Sequence, residues 1–439
     1  RVLLDISKIM LENFKNITGV YPKSIFTCGS LARSYLLATV GETKSKVLQF
    51  KSLYNRLSKF DKLLDYSMKA YHGGKIESYV LGKVGTAKIV DITSAYPYAM
   101  TTLPYPTREV LHIEGGKDID KYFYAFINCE WTIDDPNFIH PCIVENPINK
   151  SNISPYGYMR AIITKPEYDY LIKHGIKVNV FDYITVKHMN VYPYKEIVET
   201  LFHKRMETKD TNPSLSQMYK IILNSLYGIT FELNDTFDEI DNSIEWLGYR
   251  AGDYFNPVIA SYITAITRTS LSEVSNNIIE NGGKVYLNMT DSIIYDGEIT
   301  LDVLSKMKIL GKYEYPTIIN ECVILGAGRY EYYDTVKDKY VIKSRGFSAN
   351  TKDSAFYDKL ELNSEEIILD HKTFVTGFKA TTKKYGYQKM GHLLEDTYTF
   401  NPFNLGGKRI IKDRNVDLNN SYTETIPVYL DKDIMNRIK

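Results

Sequence analysis

Two apolar, β-branched runs whose aspartates stand 200 positions apart in a chain of 439 residues each bring an acid to a turn. The first is Ala87-Lys88-Ile89-Val90-Asp91. The second is a hairpin pattern, 284–288 and 292–295, around the tight turn Met289-Thr290-Asp291. Runs this apolar belong inside a sheet. If the two are neighbours in one sheet, their carboxylates meet, and the chain must close that sheet over a very long connection.

Composition says which classes to set aside. The chain is 44% hydrophobic and 24% charged, ordinary for a globular protein with room for two or three domains. No apolar run approaches the roughly 18 residues of a membrane span, and the first residues, starting at Arg1, do not form a signal peptide. The missing initiator Met reads as a trimmed or processed chain. Lysine and arginine number 54 against 53 acids, a net charge of +1, so any nucleic-acid surface must come from segregated charge. Cys28, Cys129, Cys142 and Cys322 make no Cys-x-x-Cys pair, which favours a reduced interior over a zinc site.

Periodicity predicts mostly helix over 6–70, from apolar spacing in 6–14 and 48–71. Gly82 and Gly85 punctuate the approach to the strand ending at Asp91. Strands are expected over 122–131, 158–163 and 178–186, with a helix at 165–174. Two helices follow, 195–209 and 214–227, the second closed by Gly228. Hairpins fit 229–255 and a long helix fits 257–280, stopped by Asn281-Gly282-Gly283. The last 95 residues are mixed. Strands and helices interleave without regular βαβ alternation, which favours an α+β fold.

Three stations carry chemistry. Asp91-Ile92-Thr93-Ser94-Ala95-Tyr96-Pro97 places a carboxylate at a strand end, where a sheet fixes a metal ligand and the following amides can face phosphate. Lys220, Asn224 and Tyr227 share one face of a helix whose other face is apolar, suiting a phosphate grip beside a stacking ring. Met289-Thr290-Asp291-Ser292 projects the second acid. Each station alone is equally a polar turn or a solvated helix face. Together, two carboxylates sharing two Mg²⁺ ions about 4 Å apart make a phosphoryl-transfer site.

In order and spacing these residues resemble family B DNA polymerases. Asp91-x-x-Ser94-x-Tyr96-Pro97 resembles motif A, Lys220-x-x-x-Asn224-Ser225-x-Tyr227-Gly228 motif B, and Thr290-Asp291-Ser292 the core of motif C. Tyr71-x-Gly73-Gly74 resembles the Tyr-x-Gly-Gly element that touches the template. The resemblance covers roughly residues 70–345. It implies a right-hand fold: an N-terminal helical region at 1–70, a palm of antiparallel sheet plus helices at 71–190 and 229–345, with inserts, helical fingers at 191–228 and a helical thumb at 346–439. It implies that Asp91 and Asp291 ligate two Mg²⁺ (Mn²⁺ substituting), helped by the Ile92 carbonyl. Ser94, Ala95 and Tyr96 would line the nucleotide site, with Tyr96 excluding a 2′-hydroxyl. Lys220 would hold the triphosphate with either Lys204 or Arg205, and Asn224 and Tyr227 would line the base-pair pocket. DNA contacts would come from Tyr71, Gly73, Gly74 and Thr290. For the primer end, Arg329-Tyr330 and Lys339-Tyr340 compete, with Lys343 beside them.

Three departures stand out: Met289 where motif C usually starts with aspartate, Ala95 where leucine is commoner, and a blurred Lys-x-Tyr. The Met289 change motivates an alternative reading, a catalytically silent polymerase-like DNA-binding subunit. A primer- or RNA-making enzyme is the other, which Tyr96 argues against. The sole Asp-x-Glu, Asp296-Gly297-Glu298, is misplaced for a proofreading exonuclease, so that activity is not expected here unless an upstream part is missing. Compact size and Cys28-Gly29-Ser30-Leu31-Ala32 look most like the protein-primed branch. Its partners would be primer-template DNA, dNTPs, and a terminal-protein primer or a separate exonuclease or processivity subunit. Its place would be the host cytoplasm, in viral or plasmid replication, neither secreted nor in a membrane.

Overall fold

The two aspartate-bearing runs share a sheet. In the computed structural model, which describes residues 2–25, 27–40, 61–240, 243–345, 356–374 and 393–436, Val80–Asp91 runs antiparallel between Ser292–Asp296 and Thr317–Ile324. The path across this central sheet is Ile76–Ser78, Lys284–Met289, Ser292–Asp296, Val80–Asp91, Thr317–Ile324, Arg329–Asp334 and Lys339–Ser344. Tyr422–Pro427 joins the start of Val80–Asp91, and Arg409–Ile411 pairs with Tyr422–Pro427, making nine strands.

Alternate residues of these strands feed two cores. Val90, Ile293 and Tyr295 pack with Leu271, Val274 and Ile278 of the helix Pro257–Glu280. Ala87 and Ile294 point the other way, toward Ile319 and Tyr332. With both faces covered, 285–287 and 293–295 read as unbroken apolar runs.

The long helix begins where Asn256 caps it, accepting the Ile259 N–H at 3.2 Å, with Pro257 in the first turn. It ends at Asn281, and Gly282 takes a left-handed φ of 78°, so the expected bounds hold. A second, five-stranded sheet runs Tyr429–Leu430, Tyr156–Thr164, Tyr124–Ile133, Val178–Met189, Tyr105–Glu114; only the Tyr429–Leu430 pairing is parallel. Tyr124 and Phe126 face the helical core, while Ala125 and Ile127 face Leu171 of helix Lys165–Lys173. That helix opens with a capping box between Thr164 and Glu167. The pair Leu233–Ile240 and Ser243–Ala251 is the hairpin expected within 229–255. Among the described residues no helix is long and apolar enough to cross a membrane.

Three expectations change. Gly82 and Gly85 lie inside Val80–Asp91 rather than before it. Gly82, at φ 111°, leaves room for the strand beside it: a Cβ there would sit 2.4 Å from the Ser421 carbonyl oxygen. Gly228 does not end its helix, which runs Pro213–Thr230, because Ile229 and Thr230 are buried and packing carries the helix through the glycine. The C-terminal region is not a helical thumb in its described parts. Residues 356–374 and 393–436 hold the strand pair Ile367–Phe374 with Leu393–Phe400, the strands Arg409–Ile411, Tyr422–Pro427 and Tyr429–Leu430, one 3₁₀ turn, and the single five-residue helix Lys432–Asn436. The reason is period-two burial, seen along Tyr422–Pro427, where Thr423, Thr425 and Pro427 are buried and their neighbours half-buried. At the N-terminus the described residues form helices Val2–Thr18, Cys28–Val40 and Asp61–Ala70. Residues 48–60 of the helix expected over 48–71, and the thumb segments 346–355, 375–392 and 437–439, lie outside the described residues.

Candidate active site

Sheet register brings the two aspartates together. Asp91 stands opposite Ser292, and the Ile92 N–H donates to the Asp291 carbonyl at 2.9 Å. Thr290 turns the chain with a left-handed φ of 62°, and its N–H donates to the Lys75 carbonyl at 2.8 Å. This ties the turn to the segment that follows Tyr71-x-Gly73-Gly74. Beyond Asp91 the chain breaks sharply at Ser94 (φ 53°) and enters helix Ala95–Thr101.

Both carboxylates open into one cavity of about 410 Å³. Its floor is 91–97, and its opposite wall is the helical hairpin Lys195–Thr208 and Pro213–Thr230, through Arg205, Lys220 and Asn224. Asp91 is reachable by solvent from the cavity yet ringed by protein elsewhere. Burial, then Asp291, then Glu314 push its pKa up to about 7, against the pull of Lys308 and a backbone hydrogen bond at Ile92. Burial raises Asp291 to about 6, opposed by its own backbone and by Lys343. Like charges held this close call for a cation.

The structure sorts the expected residues. Arg205 reaches into the cavity and donates to Ser94 Oγ at 3.4 Å, whereas Lys204 turns to solvent and pairs with Glu207 at 2.9 Å. Lys220 and Asn224 line the cavity, as do Ser94, Ala95 and Tyr96. Tyr227 lies behind that lining: its ring packs 4.5 Å from Tyr96 and its phenol bonds Tyr71 at 2.6 Å. Tyr71 stacks on Phe231 at 3.5 Å. Burial lifts Tyr96 to about 12. Gly74 has no side chain to spare, since a Cβ would meet the Tyr96 hydroxyl at 2.6 Å and Thr290 Cγ2 at 2.9 Å, while Gly73 faces open space.

The hairpin Arg329–Asp334 with Lys339–Ser344 separates the competing primer-end candidates. Tyr330 is paired with exposed Lys343 at the end nearer Asp291, and Arg329 sits over the Phe400 ring at 5.1 Å. Lys339 and Tyr340 lie at the other end, where the Tyr340 phenol donates to Glu321. Five strand residues, roughly 16 Å, divide the two ends.

Three residues were missed in the sequence. Glu314 joins the cavity, its Oε1 accepting from Lys308 Nζ at 2.5 Å. Arg268 is fully buried: it donates to the His72 and Gly73 carbonyls at 2.8 Å each, to Pro141 O at 2.9 Å, and to Glu167 at 2.6 Å. It clamps the Tyr71-x-Gly73-Gly74 segment onto the long helix. Its signal was available, since Arg268 is the single charge in the helix's first 16 residues. For Glu314 and Lys308 no sequence signal exists beyond proximity to one another.

Residues 2–242 match the family model described as DNA polymerase type B, organellar and viral, which is more than half of the chain. The chain belongs to that family. A DNA polymerase of Acidianus bottle-shaped virus (isolate Italy/Pozzuoli) is 26% identical over 299 residues, or 64% of this family B chain and 40% of the viral protein. The chain thus spans well under two thirds of that relative's length. Among solved structures, Phi29 DNA polymerase with primer-template DNA and incoming nucleotide is similar at TM-score 0.65 and 16% identity, covering 89% of this chain and 69% of that one. The same enzyme with primer-template DNA alone gives 0.63 and 17%, covering 90% and 70%. At those identities the likeness is one of fold.

Among the described residues no three His, Cys, Asp or Glu side chains are arranged as a metal cage. The donor set still suits a hard cation. Mg²⁺ binds through one or two carboxylates and completes its shell with water and substrate phosphates. Two raised carboxylates at a strand end and a turn meet that requirement.

Proposed function

We propose that this family B chain is a template-directed DNA polymerase, adding dNTPs to a primer 3′-hydroxyl in viral or plasmid replication. The observation that carries the reading is the register that sets Asp91 beside Asp291 in a cavity walled by Arg205 and Lys220. Central sheet and long helix act as the palm, and the helical hairpin of 195–230 as the fingers. Asp91, Asp291 and the Ile92 carbonyl would hold two Mg²⁺ ions, which when bound would lower the pKa of the primer hydroxyl and offset charge on the triphosphate. Arg205 and Lys220 grip that triphosphate from the facing helices, while Lys204 stays outside. Tyr96 closes the cavity beneath the sugar and leaves no room for a 2′-hydroxyl. Tyr227, anchored by Tyr71, braces Tyr96 from behind. Gly73 lets the template backbone come close, Gly74 makes room for Tyr96 and Thr290, and Lys343 with Arg329 holds the primer strand by phosphate contacts that give little sequence preference.

The priming group is a terminal-protein hydroxyl or an oligonucleotide end, a reading supported by the viral family model and the Phi29 likeness. The working place is the interior of an infected host cell. Primer extension with Mg²⁺ and dNTPs tests the reading. Extension by the natural chain that Asp291→Asn abolishes supports it. Extension that survives Asp291→Asn contradicts it.

A further inference from the structure

We propose that Lys308 is a built-in counter-ion of the carboxylate cluster, standing where positive charge is needed until a divalent ion displaces it. The inference rests on the two-metal reading above. Three carboxylates, Asp91, Asp291 and Glu314, open into one cavity, and Lys308 lines it with them. Its Nζ holds Glu314 Oε1 at 2.5 Å, and its charge acts on Asp91. Arg205 reaches from the opposite wall to Ser94 on the floor, and it feels the charge of Glu314 without a hydrogen bond to it.

The segment bearing Lys308 is strapped to the motif it neutralises. Thr93 N–H donates to the Lys312 carbonyl, and Gly311 N–H returns a bond to the Thr93 carbonyl, each at 2.9 Å. Tyr313 is buried in the core beneath. Glu314 is therefore fixed beside Asp91, while Lys308, between exposed Met307 and Ile309, sits on a rim that can give way. The place of the usual motif C aspartate is apolar: Met289 Cε lies 3.6 Å from where a Gly328 Cβ would be. The cluster so carries its acids on Asp91, Asp291 and Glu314, and Lys308 is the cation hydrogen-bonded to one of them. Loading a divalent ion is then an exchange, in which the higher charge wins and the ammonium is released toward the polyphosphate side of the cavity.

Mn²⁺ binding to the full chain without DNA or nucleotide, followed by electron paramagnetic resonance at pH 8, reads this exchange directly. Lys308→Met is expected to bind Mn²⁺ about threefold to tenfold more tightly, because one competing charge at a screened, partly exposed site is gone. Lys308→Arg keeps the charge and should match the natural chain, and Asp291→Asn should bind much more weakly. Equal or weaker binding by Lys308→Met, with binding still dependent on Asp291, overturns the counter-ion and leaves the metal site standing. Binding indifferent to Asp291→Asn overturns both.

Discussion

The phenols of Tyr71 and Tyr227 lie 2.6 Å apart across 156 residues of sequence. That bond fastens helix Pro213–Thr230 to the strand-leading segment with Gly73 and Gly74, and Tyr227 in turn backs the ring of Tyr96. Tyr71→Phe and Tyr227→Phe should each cost about 1 kcal/mol, and the double variant less than their sum, with a coupling of roughly 0.5–1.5 kcal/mol in a denaturant-unfolding cycle. Strict additivity would show the contact to be idle.

Tyr96 sets sugar selection in the proposed reaction. Tyr96→Val empties the space beneath the deoxyribose, so incorporation of rNTPs relative to dNTPs should rise by roughly 10–200-fold in single-turnover extension. Unchanged selectivity would move the steric gate to another residue.

The raised carboxylates give the chain a pH-dependent stability with a definite sign. Asp91 at about 7 and Asp291 at about 6 bind protons more tightly folded than unfolded, where the ordinary value is 3.8. Without metal, their ionisation therefore opposes folding above pH 7, and that penalty is relieved as pH falls from about 8 toward 4. Solvent reaches Asp91, so the penalty is on the order of 1–2 kcal/mol rather than the full shift. Thermal unfolding should show a higher Tm at pH 6 than at pH 8, a smaller difference in Asp91→Asn, and a gain from Mg²⁺ confined to the higher pH. A Tm rising from pH 6 to 8 in the metal-free chain would refute the assignment.

What the sequence made legible were features written locally. Pro257 and the stop Asn281-Gly282-Gly283 bounded the long helix, and both aspartates could be read as turn-borne ends of apolar strands. Features that depend on distant partners were not legible. Gly228 reads as a helix stop until Ile229 and Thr230 find a core to enter. Lys204 and Arg205 are adjacent and alike, and only the facing helix decides which one reaches Ser94. Arg268 and Glu167 lie 101 positions apart, and nothing local announces that they meet.

That Arg268–Glu167 pair is wholly buried, so removing one member strands the other charge. Arg268→Leu should cost about 3–5 kcal/mol in equilibrium unfolding, whereas a Leu-Leu replacement should recover part of that loss. Because Arg268 also holds the His72 and Gly73 carbonyls, the double variant should still bind primer-template DNA more weakly than the natural chain. Full binding by the stable double variant would reduce Arg268 to a purely structural role.

The most direct test of the central claim is anomalous diffraction from crystals of the chain with Mn²⁺, primer-template DNA and a non-hydrolysable dNTP analogue. The account predicts two manganese peaks about 4 Å apart, each within ligand distance of both Asp91 and Asp291. A single peak, or manganese bound away from that pair, would contradict it.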